Sequence, residues 1–340
     1  MLNKIMKKNI YKLILPFFLL ILSSCDQQEV EFDFSNEQIA VFDAFEWDFS
    51  KQNILKVEKL KNNISVIFGY GGNILVSTGK DGTLIVDSQF PQLKNNILDE
   101  IKKLGGDHID YIINTHWHFD HAEGNRAFGP TGSTIIAHEN SREFMKKNNN
   151  INIVLVEYPQ QAYENKSLPT ITFKDEMKLN FNNNNISLHN FGPAHTTGDT
   201  IVFFKEDNVI HFGDVLNIDS MVFIDSGNGG SLSGMIKNLE QALKIMNKET
   251  VVVPGHGEIF EGVYDPKLER MLPLWALNKL RDDVEMINGL CPKFNPTSFL
   301  DGDLTPVFFG SAVNNFGVRE LLNGVAEQSP CPREQPSLSQ

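Results

Sequence analysis

Three imidazoles and a carboxylate fall within six positions, His116-Trp117-His118-Phe119-Asp120-His121, a few residues after the apolar run Tyr111-Ile112-Ile113. A buried strand ends where such a run meets polar residues, so these side chains leave a sheet together at one edge. In an extended stretch alternate side chains point the same way. His116 and His118 can therefore converge on one point, and Asp120 and His121, after the chain turns, on a neighbouring one. A solvated loop accounts for a lone histidine. It does not account for three of the chain's 9 histidines and an aspartate in six positions, which read as metal ligands.

The flanking sequence supplies the sheet. Ile64-Ser65-Val66-Ile67-Phe68, Asn73-Ile74-Leu75-Val76-Ser77 and Thr83-Leu84-Ile85-Val86-Asp87 are short β-rich runs with turn signals between them. A helix over about 93–104, a strand over 109–114, a strand over 134–137 and a helix over about 138–147 follow. Residues 148–185 are rich in Asn and poor in periodicity, with Asn148-Asn149-Asn150 and Asn182-Asn183-Asn184-Asn185 marking exposed turns. Strands return at 186–190, 200–204 and 209–214; a helix over about 232–246 precedes a last strand at 251–253. In this second half His195, Asp214 and His256 each stand in a Gly-containing turn at a strand end, where folds of this kind collect their chemistry.

Taken together, His-x-His-x-Asp-His, then Gly192-Pro193-Ala194-His195-Thr196, Gly213-Asp214 and Gly255-His256-Gly257, resemble the metallo-β-lactamase superfamily over roughly residues 56–288. The resemblance implies a four-layer αββα sandwich with the metal site at one edge of the two sheets. It also implies a dinuclear site in which His116, His118 and His195 hold one ion, Asp120, His121 and His256 the other, and Asp214 bridges both. Nitrogen and oxygen ligands without thiolate suit two Zn2+, with Mn2+ or Fe also compatible. The implied activity is hydrolysis of a carbonyl-type small molecule by a hydroxide shared between the ions, with Asp120 orienting it.

Substrate choice rests on departures from the family's name-giving members. The commonest true β-lactamases carry Cys where this chain has Asp214, and usually Lys where it has Asn217. A bridging Asp is instead similar to the thioester, lactone and cyclase-like hydrolases, of the glyoxalase II and lactonase kind. A β-lactamase and an iron-dependent persulfide dioxygenase are the alternative enzymes, and a lipid-anchored binding protein stabilised by metal is the alternative outside enzymology.

The other polar candidates have structural readings. His108, His138, His189 and His211 are expected to be surface or hydrogen-bonded residues, with His138 the nearest to a supporting role at the site. Asp199 is expected to shape its turn, and Asp87 to support a ligand.

The ends of the chain differ from the body. A basic start is followed by about ten apolar residues, Leu13 to Leu22, too few to span a bilayer but suited to an export signal. Leu22-Ser23-Ser24-Cys25 resembles the bacterial lipoprotein signal, so residues 1–24 would be removed and Cys25 lipidated, anchoring the protein in the cell envelope, on the periplasmic side. Loss of that segment, with Lys4, Lys7, Lys8 and Lys12, takes the formal charge from -13 to -17, which argues against a nucleic-acid partner. Residues 25–55 read as a tether and a partly ordered aromatic arm, 56–288 as the catalytic domain, 289–325 as an extension and 326–340 as a loose tail. An oxidising compartment permits a Cys291–Cys331 disulfide without establishing one. A helix over 268–287 is expected to pack Leu272 and Trp275 on the sheets.

Overall fold

The computed structural model describes residues 32–51, 53–153, 156–218, 222–247 and 249–259, and scattered positions from 266 to 282. The signal segment with Cys25, and Cys291, Cys331 and the rest of the C-terminal extension and tail, lie outside the described residues.

Two sheets carry the body. In the first, β1 (Lys56–Lys61), β2 (Ile64–Phe68), β3 (Ile74–Gly79) and β4 (Gly82–Val86) form an antiparallel meander. It continues in parallel through β5 (Tyr111–Ile113), β6 (Thr134–His138) and β9 (Ile171–Phe173). The second sheet contains β10 (Glu176–Phe181), β11 (Asn184–His189), β12 (Ile201–Phe204), β13 (Val209–His211) and β14 (Val251–Val253), antiparallel except for the β13–β14 pair.

Alternation along the strands sorts the layers. Leu75, Leu84, Val86, Ile113 and Ile136 face inward and pack against Ile186, Leu188, Val202, Phe204 and Val253 of the other sheet. The intervening residues Ile74, Val76, Ile85 and Ile112 face outward, under Ile97 and Ile101 of α2 (Lys94–Lys103). On the far side Ile201 and Ile210 pack against Met235 and Ala242 of α6 (Leu232–Ile245). Both faces of each sheet are covered by apolar material, which gives the expected αββα sandwich.

Two expectations are corrected, and the expected ordered part of the arm takes a definite form. Residues 148–185 contain four strands, β9 and β10 together with the hairpin of β7 (Asn149–Ile153) and β8 (Val156–Gln160). Asn is a poor strand former, and only one face of the hairpin is apolar, where Ile151 pairs directly with a buried Tyr158, so the period-2 signal is faint. The aromatic arm contains a defined helix, α1 (Asn36–Ala44), started by a capping box between Ser35 and Gln38. It buries Val41 and Phe42, the latter with ring contacts to Trp47, Phe49, Phe90 and Tyr158. Trp275, expected on the sheets, is 73% exposed; Leu277, further round the same helical turn, is buried instead. Among the described residues no helix is long and apolar enough to cross a membrane.

Candidate metal centre

All seven sequence-predicted side chains meet at one edge of the sandwich. Past β5 the chain bends at Thr115 and His116, and His118, extended with φ and ψ of -62° and 150°, leads into the short helix α3 (Phe119–Ala122), which carries Asp120 and His121. The turn between β11 and β12 brings His195, a 3-10 turn after β13 brings Asp214, and the end of β14 brings His256. Ligand atoms of His116, His118 and His195 lie within 4.8 Å of one another, as do those of His116, His121 and Asp214, and those of Asp120, His121 and His256. His121 and Asp214 Oδ1 are 3.0 Å apart, and His256 lies 3.1 Å from Asp120 Oδ2. Small residues make room for this crowding: a Cβ on Gly72 would sit 2.1 Å from the His121 ring, and one on Gly255 2.1 Å from Asp214 Oδ1.

The outer hydrogen bonds decide what the rings present to the centre. Thr115 Oγ1 donates to Asp87 Oδ2 at 2.7 Å, so at 3.0 Å it can only accept from His116 Nδ1–H, leaving the buried Nε2 of His116 as an unpartnered lone pair. His195 Nδ1–H donates to the Phe223 carbonyl at 2.8 Å, and His118 Nε2–H to Asp225 Oδ2 at 3.0 Å. The remaining nitrogens, His195 Nε2 and His118 Nδ1, then face each other lone pair to lone pair at 2.9 Å. His121 Nδ1–H donates to Asp87 Oδ2 at 2.7 Å, and its Nε2 faces His256 Nε2 at 3.1 Å and Asp214 Oδ1, which has no hydrogen bond of its own. Facing acceptors repel unless a cation lies between them, and a divalent metal bound to neutral imidazoles satisfies all of them at once. The residues present therefore fit bound metal.

The electrostatics point the same way. Burial, reinforced by the neighbouring imidazoles, pushes His116 well below its ordinary pKa, and burial also lowers His195, so these rings do not relieve the repulsion by taking up protons. Burial likewise opposes charge on His121, but the carboxylates of Asp214, Asp120 and Asp87 outweigh it and hold that ring well above its usual value. Asp214 is held well below the ordinary carboxyl range by His121, His256 and His195, despite its burial. The centre thus calls for positive charge beside its carboxylates, which a bound cation supplies.

Other polar residues divide into supports and bystanders. Asp87 accepts the Thr115 amide, the Thr115 hydroxyl and His121, each at 2.7 Å. Asp199 binds the amides of Thr196 and Ala194 and so forms the His195 turn. His138 is instead the N-cap of α5 (Glu139–Met145), accepting from the Asn140 amide. His211 bridges the Asn73 carbonyl and the Gly213 amide, and His108 pairs with Asp110 at the surface. Sequence reading missed Asp225, which is 3% exposed and holds His118 by its side chain and the His195 carbonyl by its amide. Asn217, named only as a departure from the commonest β-lactamases, proves to support the centre: its Oδ1 accepts the His256 amide at 3.1 Å. The arm is tied to the residue just beyond α3: Gln38 donates to Tyr158, and Tyr158 to the buried Glu123.

A family model described as the metallo-β-lactamase superfamily matches residues 61–256, just over half of the chain. Among solved structures, metallo-β-lactamase IND-7 is similar at 20% identity with a TM-score of 0.50, over 67% of this chain and all of that one. The metallo-β-lactamase from Pontibacter korlensis matches at 18% identity and TM-score 0.49, covering 60% of this chain and 92% of its own. DIM-1 metallo-β-lactamase matches at 23% identity and TM-score 0.49, covering 60% and 90%. At these identities the likeness to IND-7 concerns the fold alone.

Proposed function

The chain belongs to the metallo-β-lactamase superfamily, and from that premise we propose that it is a dinuclear zinc hydrolase of carbonyl-type small molecules, of the type with a bridging aspartate. His116, His118 and His195 would hold one ion, Asp120, His121 and His256 the second, and Asp214 would reach both. The observation that carries this reading is the inward set of lone pairs on His116, His118 and His195, each fixed by a partner outside the centre. When bound, such a pair of ions supplies a nucleophilic water near neutral pH and polarises a carbonyl oxygen.

The protein's own groups supply the rest. Asp87 and Asp225 keep His121 and His118 in the tautomer that offers a lone pair inward. His116, His195 and His121 are buried, whereas the side chains of Asp120 and His256 are 14% and 23% exposed, so substrate meets the centre on the Asp120–His256 side. There Asp120 orients the attacking water and is placed to take up its proton. Thioesters, lactones and other esters or amides form the substrate class. Manganese or iron would suit the same ligands. The Leu22–Cys25 pattern supports export and lipid anchoring at Cys25 on the periplasmic side of the envelope, with no role for nucleic acid.

Turnover of the soluble fragment beginning after Cys25, against thioesters, lactones, β-lactams and phosphodiesters with metal content measured alongside, tests the reading. Two ions with ester or thioester hydrolysis, both lost in the His116→Ala/His118→Ala variant, is the expected result. Turnover confined to β-lactams makes the protein a β-lactamase. Two ions without any hydrolysis bring forward a persulfide dioxygenase, and a single ion without turnover a binding protein.

A further inference from the structure

The turn between β2 and β3 includes Gly69-Tyr70-Gly71-Gly72, three glycines around a single side chain. This loop lies directly against two candidate ligands of the second ion. The Gly72 amide donates to the Asp120 carbonyl at 3.1 Å. A Cβ on Gly71 would collide with that same carbonyl, and one on Gly72 with the His121 ring, so the close approach of the two backbones depends on glycine. Asn73 extends the contact to the third ligand. Its amide donates to the Gly255 carbonyl at 2.7 Å, and its side chain to the carbonyls of Pro254 and Gly257 on either side of His256. Residues 71–73 thus join α3 to the His256 turn.

Glycine gives that backbone its reach and also its freedom, because it loses more conformational entropy on ordering than any other residue. Two side chains offset this freedom. Gln89 is buried and donates to the Gly72 carbonyl at 2.8 Å. The other is Tyr70, and it is held from the aromatic arm. Its ring stacks 6.3 Å from that of Trp47 and meets that of Phe49 edge-on at 5.5 Å, while its hydroxyl donates to the Asp48 carbonyl at 3.1 Å. Trp47 and Phe49 also reach the buried Phe90, at 5.1 and 5.2 Å, so residues 47–49 are fixed to the body independently of Tyr70.

We propose that the arm is a positioning element of the metal centre: residues 47–49 hold Tyr70, Tyr70 orders the glycine loop, and the loop sets Asp120, His121 and His256 for the second ion. This rests on the metal-centre reading above and makes one ion position depend on a segment that precedes the family match at residues 61–256. The three-histidine position takes its support elsewhere, from Thr115 at His116, Asp225 at His118 and the Phe223 carbonyl at His195. The dependence is therefore selective. It is also reciprocal, since whatever factor the docked arm adds to the affinity for the ion, the ion adds to the docking of the arm.

Cobalt(II) titrated into the metal-free full chain tests the coupling, with the two positions read by their d–d spectra and amide hydrogen exchange followed over α1 and residues 45–49. In the wild type, filling the Asp120–His121–His256 position should slow exchange in the arm by about tenfold more than filling the three-histidine position does. Tyr70→Leu should weaken the Asp120–His121–His256 position by about tenfold, leave the three-histidine position within about twofold, and abolish the response of the arm to cobalt. Tyr70→Phe, which keeps the ring and loses only the hydroxyl, should restore most of both. Wild-type arm exchange that is indifferent to the second ion overturns the inference, whether or not the variants fold. So does a Tyr70→Leu protein that binds cobalt as the wild type does or weakens both positions equally. A wild type that takes up no cobalt at either position overturns the metal-centre reading itself.

Discussion

Asp225 tests the metal-centre argument most sharply, because it touches His118 and would not bind an ion. Its carboxylate accepts His118 Nε2–H at 3.0 Å, the Asn228 side-chain amide at 2.7 Å and the Asn228 backbone amide at 3.2 Å. Asp225→Ala leaves those donors unpaired and frees His118 to move its proton to Nδ1, where the lone pair toward His195 would be lost. Outer partners of metal-bound histidines are worth about 10- to 100-fold in affinity, or about 1.4–2.7 kcal/mol. Asp225→Asn keeps the shape and one acceptor oxygen but loses the charge, so it should fall near the lower figure, and the alanine variant near the upper one. The loss should be confined to the three-histidine position, since His121 takes its partner from Asp87 and His256 its backbone partner from Asn217. Cobalt(II) loaded into the metal-free protein and withdrawn by a graded chelator reads the two positions separately by their d–d spectra. A variant that keeps both ions at wild-type affinity would show that the tautomer argument is wrong, and equal weakening of both would show that Asp225 acts only through stability.

Three further outcomes follow from the same contacts. Phe42→Ala, at a residue 5% exposed among five aromatic rings, should cost about 3–5 kcal/mol in urea denaturation; a cost under about 1 kcal/mol would mean that the arm is not part of the fold. Burial pushes Glu123 from 4.5 up to about 7, against Arg126 and Tyr158, so in the metal-free protein the folded state keeps a proton that the unfolded chain has released. Stability should therefore fall as pH rises through that window, by about 3 kcal/mol, and Glu123→Gln should flatten this component; matching pH profiles for the two proteins would refute it. Asn73→Ala removes donors from the Pro254 and Gly257 carbonyls on either side of His256, and should weaken the Asp120–His121–His256 position by about 1–3 kcal/mol while the three-histidine position holds, read by the same cobalt titration.

The sandwich was legible because its central strands are continuous apolar runs bounded by turns, and the ligands because they cluster at strand ends. What was illegible has a common cause. Asp225 sits in a Gly- and Asn-rich segment where an aspartate reads as a turn former, and only the fold brings it to a histidine 107 positions away. The β7–β8 hairpin hides its one apolar face among asparagines, and α1 shows only that its aromatics need a partner, not which one. Periodicity reports a residue's relation to its own element and says little about the element facing it.

That distinction matters for how the centre holds together. His116, His118, Asp120 and His121 follow a strand of the first sheet, while His195, Asp214 and His256 come from the second. The outer partners cross the same boundary: Asp225, after the second sheet's β13, holds His118, and Asn73, ahead of β3, holds the turn around His256. The carboxylates of Asp120 and Asp214, from the two different sheets, face each other across the open edge of the sandwich, and a cation between them would offset their mutual repulsion. A bound metal would therefore be coupled to the docking of the sheets, and a substitution that weakens either should be detected in both.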